Sequence, residues 1–308
     1  MYKWILVTAL SVGLTACTQP PTIEKTTSVS PCNVGTYEQA DILTLKADKY
    51  QGIETPAINQ IALDLRPCIG HPRPEIRDGL VYESLSGFLR GEQLTDETKL
   101  QLFGHMLGLM NGPYIEPGYT RPFAALDMSE LARADRITPY LSDEQREALV
   151  HTTASYMTGI TDYRGFVDTE GWRHNIAHTA DIILQLSLNP NVTEAQLRTL
   201  QIALGTQIAP ASGHTYIHGE PERMARAILY IARRGVITPD DWNVWFSKLA
   251  DPEPLAVWSE AYKSEAGLAK LNNTKAFLSS IYINATETQN PDIKALLGPA
   301  REVLMKLP

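Results

Sequence analysis

Along most of the chain the apolar residues recur every three or four positions, and strict apolar/polar alternation is nearly absent. From Pro74 onward, Ile76, Leu80, Val81, Leu85, Phe88 and Leu89 keep the helical period. Thr95 is placed to cap the next helix, where Leu100, Phe103, Leu107 and Met110 repeat the pattern before Gly112-Pro113 stops it. Ser142 with Gln145, and Thr193 with Gln196, have capping-box spacing, in which each side chain satisfies the other residue's backbone N–H. Pro239 after Thr238 and Pro291 after Asn290 stand where a first helical residue needs no N–H, and the second pair is expected to open the last helix. Gly235, behind Arg233 and Arg234, reads as a helix end with cations beside its carbonyls. Pro74 to Tyr82 and Pro221 to Leu229 echo each other weakly, with no clean repeat period. The expectation is an all-α fold, an irregular HEAT-like α-solenoid of stacked antiparallel hairpins without significant sheet.

Only the N-terminus departs from this pattern. Lys3 precedes an apolar run, Trp4 to Leu14, too short for an ordinary membrane span. It ends in Leu14-Thr15-Ala16-Cys17, which resembles the bacterial lipobox; a signal peptide cut near Ala16 and an uncleaved anchor are the alternatives. The resemblance implies a signal peptide over 1–16 and lipidation of Cys17. Thr18 stands where the inner-membrane retention signal has Asp, which implies a Gram-negative outer-membrane lipoprotein, held to the membrane by its lipid with its body in the periplasm. Residues 17–35, rich in Pro, Thr and Ser, read as a disordered tether, and 36–308 as one helical domain. In that oxidising compartment Cys32 and Cys68 are expected to pair, adding about 3–4 kcal/mol in the chain-entropy model. Two unpaired buried thiols are the alternative.

Charge adds an exclusion. Twenty-seven Lys and Arg against 35 Asp and Glu leave −8, mixed along the chain with no basic block, so nucleic acid is not an expected partner.

The candidate chemistry centres on Gly171 to Asp181. If that stretch is helical throughout, His174, His178, Asp181 and Gln185 share a strip roughly 60° wide. Two imidazoles four residues apart with a carboxylate one turn on can hold a divalent metal such as Zn²⁺, and His218 is a candidate further ligand. Asp168, Glu220 and Glu222 are then candidate general bases. The plain alternative is an amphipathic helix with hydrogen-bonded structural histidines. His214 and His218 flank Tyr216 before a helix starting near Pro221; equally, His218 caps that helix and Glu222 pairs with Arg226. Arg77, Asp78, Arg121, Trp172, Tyr216 and Arg223 are candidate binding residues, the arginines through bidentate contact with a carboxylate or phosphate; internal ion pairs bracing the hairpins are the alternative.

Five blocks occur in a telling order. They are Ile76-Arg77-Asp78-Gly79-Leu80, Thr120-Arg121-Pro122-Phe123-Ala124, Tyr163-Arg164-Gly165-Phe166-Val167, Gly171-Trp172-Arg173-His174 through Asp181, and His218-Gly219-Glu220-Pro221-Glu222-Arg223. Together they resemble the bacterial domain of unknown function 2785 family over roughly residues 60 to 250, departing at Pro122, where a small polar residue is expected. The resemblance implies an all-α fold and supplies no activity. Two functions are carried forward: a helical-repeat scaffold binding an envelope protein, peptide or glycan, and a metal-dependent hydrolase centred on His174 and His178.

Overall fold

A computed structural model describes residues 39–308. The expected signal peptide, the lipidation site Cys17, the whole tether and Cys32 lie outside the described residues. The described residues are all-α apart from one small hairpin. The N-terminal helices are α1 (Gln39–Ala47), α2 (Thr55–Asp64), α3 (Pro74–Ile76) and α4 (Glu83–Arg90). Next come α5 (Asp96–Asn111), α6 (Thr120–Ile137), α7 (Asp143–Thr158), α8 (Asn175–Leu188), α9 (Glu194–Gly205) and α10 (Glu220–Ala232). The chain finishes with α11 (Pro239–Leu249), α12 (Glu265–Glu287), α13 (Pro291–Lys294) and α14 (Leu297–Leu304). Helices α4, α6, α8, α10 and α12 stack in that order as one layer, and α5, α7 and α9 back them as a second. The stacked hairpins expected from the helical period are therefore present. Among the described residues no helix is long and apolar enough to cross a membrane.

Most helix starts follow the local signals. Thr95 accepts from the Thr98 N–H, both capping boxes close, and Thr238 accepts from the Asp241 N–H. Asn290 caps only the four-residue α13, so the last helix is α14. Arg234 does not serve its own helix end. It donates to the carbonyls of Ser187, Asn189 and Val192, tying α10 to the loop after α8.

A buried polar joint holds three hairpins in register. Asp135 at the end of α6 accepts from Arg146 Nε (2.8 Å), Asn189 Nδ2 (2.8 Å) and the backbone N–H groups of Tyr140 and Leu141. All four donors converge on one buried carboxylate, which satisfies its lone pairs and pins α7 and the α8 exit to α6.

The segment before α8 overturns the expectation of one continuous helix. Strand β1 (Phe166–Val167) pairs antiparallel with β2 (Gly171–Trp172), opposing Phe166 to Trp172. The N–H groups of Arg173 and His174 then donate to the carbonyls of Gly165 and Arg164. With Gly171–Trp172 extended and His174 at positive φ, the helix begins at Asn175. Trp172 and His174 therefore lie outside the helical strip.

Two buried arginines tie this strap down. Arg77 donates to the carbonyls of His71, Pro72 and, across the fold, Glu170 (2.9 Å). Arg173 donates to the Pro117 carbonyl and to Glu170 Oε2 (2.6 Å). Both guanidiniums lie over the Tyr119 ring, at 4.1 and 4.2 Å from its centroid. Arg77 is thus a structural cation, fully buried, rather than the ligand-binding fork its sequence suggests.

Candidate functional site

The strap, the starts of α8 and α10, and the turn between α3 and α4 line an open cleft of about 420 Å³. That turn, Arg77–Tyr82, is π-helical, a widening that often marks functional sites, and Asp78 and Tyr82 line the cavity from it. Leu126 of α6 adds an apolar wall. Gly171, at φ 72°, turns the chain so that Trp172 reaches the mouth, still 38% exposed. The indole meets Phe166 edge-on with centroids 5.0 Å apart and stacks on His174 at 4.6 Å.

His174 caps α8 in the left-handed region, φ 51° and ψ 41°. For a residue with a Cβ this costs about 1–2 kcal/mol. Its Nε2 is buried without a hydrogen-bond partner and lies 3.9 Å from Glu220 Oε1. The Nδ1 of His218, equally unpartnered, lies 3.8 Å from the same oxygen. Both separations exceed hydrogen-bond length, so the carboxylate closes off neither ring. Glu220 is itself buried, and its Oε2 accepts from the His218 N–H at 2.9 Å. His218 does not cap α10, because Gly219 takes the cap position at φ 85°. A Cβ on Gly165 would lie 2.1 Å from His218 Nδ1, so only glycine admits the ring there.

Burial sets the charge states. It pushes His174 down to about 4, aided by the Arg223 charge, and His178 down to about 3, aided by His174. Both imidazoles are neutral at physiological pH. The His178 Nδ1–H donates to the Pro122 carbonyl at 3.1 Å, which leaves Nε2 as its acceptor. Burial pushes Asp181 up to about 6 against the pull of Arg223 and Arg226.

The expected metal set does not assemble. His174 precedes the helix and Asp181 accepts from Arg223 Nη2 at 2.9 Å, although His178, with Nδ1–H on Pro122, keeps Nε2 free. Among the described residues no three His, Cys, Asp or Glu side chains are grouped to hold a metal ion. The cavity does bring together Asp78, Trp172, His174, His178, His218 and Arg223, with Glu220 behind the rings. It does not include Asp168, exposed in the turn between β1 and β2, or Glu222, exposed on α10. Tyr216 is buried and donates its hydroxyl to the Gln207 carbonyl, a structural role. Arg121 lines a different cavity. Tyr82 and Leu126 were not among the candidates. Tyr82 stands four residues after Asp78, a same-face spacing that offered a signal; nothing local marked Leu126.

No curated protein and no solved structure matches the chain. A family match covers residues 115–283, starting past the Arg77-Asp78 block and running beyond the expected limit near 250. It takes in the strap, α6 through α10 and every cavity-lining residue except Asp78 and Tyr82. The chain belongs to that family, described as Protein of unknown function (DUF2785).

Proposed function

We propose that this chain is a lipid-anchored envelope protein whose helical domain binds a glycan in the Trp172 cleft. The supporting observation is that His174 Nε2, His218 Nδ1 and Arg223 Nε, all buried and all without hydrogen-bond partners, belong to residues lining one cavity. Each such atom costs about 1–3 kcal/mol when left unmade, so a polar guest that reaches them is favoured. An exposed indole beside imidazoles, a carboxylate and a guanidinium suits a sugar ring, whose apolar face stacks while its hydroxyls donate and accept around the edge. Lipidation of Cys17 and outer-membrane anchoring would hold the cleft among envelope polysaccharides. A Cys32–Cys68 disulfide would pin the tether to the first helices, where Cys68 is fully buried.

Titration calorimetry of the full chain with N-acetylglucosamine oligomers of two to six units tests the glycan reading. Binding that Trp172→Ala abolishes supports it; binding of short peptides but no oligosaccharide replaces glycan with peptide. Anchoring is tested separately, since Cys17→Ser should move the protein from membranes to the soluble periplasmic fraction.

A second reading, hydrolysis in the same cleft, is favoured by His174. A strained backbone carrying a neutral imidazole with an unpartnered Nε2 suits a general base, with Glu220 placed to stabilise the imidazolium that forms. A bound Zn²⁺ would require Asp181 to leave Arg223. Cleavage of the same oligomers, lost in His174→Asn, would establish this second reading.

A further inference from the structure

A second cavity of about 350 Å³ lies on the other side of the α8 start, lined by Asn175 where the first is lined by His174. We propose that it is a separate binding site for a carboxylate carried on an apolar body, with Arg121 as the anion-recognising residue. Arg121 projects from the first turn of α6 and lies over the Tyr156 ring, 4.5 Å from its centroid. Its Nε is buried and unpartnered, and among the described residues no carboxylate comes within ion-pair distance of it. The internal ion pair that would explain a bracing arginine is therefore missing.

The neighbours extend the donor set. Tyr156 donates its hydroxyl to Asn175 Oδ1 at 2.6 Å, which fixes the amide and leaves Nδ2 as the available donor. The two helices whose first turns border the cavity, α6 and α8, both lack a side-chain cap, so their first N–H groups add positive potential on that side. At the rim Arg164 is already closed by Asp162, Nε to Oδ1 2.8 Å. The lining charge is then Arg121 and Arg164 against Asp162, a net of +1, which matches a monoanion better than a phosphate dianion. Ile115, Ile160, Pro122 and the Tyr156 face supply the apolar remainder. The two cavities share no lining residue, so each proposal stands or fails alone.

The test is titration calorimetry of the full chain with 3-phenylpropanoate, 3-phenylpropanamide and phenyl phosphate. The carboxylate should bind at least ten-fold more tightly than the amide and the phosphate. Arg121→Met should abolish binding and Arg121→Lys weaken it, because an ammonium keeps the charge and loses the fork. Thr161→Trp, on the exposed rim, should block the cavity with Arg121 intact, and it carries the test if Arg121→Met does not fold. His174→Asn, at a residue lining the other cavity, should leave binding at this one unchanged. Equal binding of the amide, tighter binding of the phosphate, unchanged binding in Thr161→Trp, or no binding of any probe by the wild type each overturns the proposal.

Discussion

Arg223 Nη2 and Asp181 Oδ2 meet at 2.9 Å across α10 and α8, yet the carboxylate is still pushed up to about 6, because burial outweighs its cation. The sign of its contribution follows. Between about pH 4 and 6 the folded state holds a proton that the unfolded chain has released, so this group costs stability as pH rises through that window. Asp181→Asn should melt higher than the wild type at pH 7.5, and the gap should shrink towards pH 4.5. A lower melting temperature at pH 7.5 would show that the Arg223 pair wins over burial.

His174 and His178 act in the opposite direction. Their folded values of about 4 and about 3 lie below the ordinary histidine value of 6.5. Unfolding therefore takes up protons, and stability is lost as pH falls from about 6.5 towards 4. Urea unfolding across that range should show the loss. Asn tolerates the left-handed region, so His174→Asn should fold and flatten the slope by about one proton. His174→Val should be destabilised by more than His174→Asn, since β-branching and positive φ conflict.

Asp135 carries the structural load between hairpins. Asp135→Ala strands the buried Arg146 and Asn189 donors and should cost about 3–5 kcal/mol in urea unfolding. Arg198→Ala, which breaks the half-exposed pair with Asp241, should cost under about 1 kcal/mol. Similar losses from the two variants would contradict the distinction.

Elemental analysis of protein purified without a histidine tag should find well under one equivalent of Zn²⁺ after the metal is offered. The reason is geometric: Asp181 is held by Arg223, and among the described residues no three His, Cys, Asp or Glu side chains are grouped around one point. One tightly held equivalent, lost in His178→Ala, would restore the hydrolase with its expected ligands.

The helix starts were legible because their causes are local. Thr95, Ser142 with Gln145, and Thr193 with Gln196 need only a neighbour three residues away. The strap was not legible, because its strands are two residues long, too short for alternation to register, and its last N–H groups pair back to Gly165 and Arg164. The strap takes His174 off the helix and so dissolves the expected ligand strip. Glu220 and His218 were candidates, but only the fold shows that they converge with His174. Of the two roles the sequence allows Arg77, ligand fork or internal brace, the structure shows a brace: it pairs with Asp78 at 2.9 Å, and its distant partner is a backbone carbonyl, Glu170, which no sequence pattern announces.

The tethering of that same strap decides how the cleft meets a guest. Arg77 grips the Glu170 carbonyl while Arg173 grips Pro117 and the Glu170 side chain, immediately beside Trp172. The conformational entropy of this wall is therefore surrendered during folding and not at encounter. Free and occupied forms should share one backbone, with side-chain adjustment alone at the rings. Discrimination then falls on the shape of the guest, because a poorly fitting one finds no hinge to yield to it.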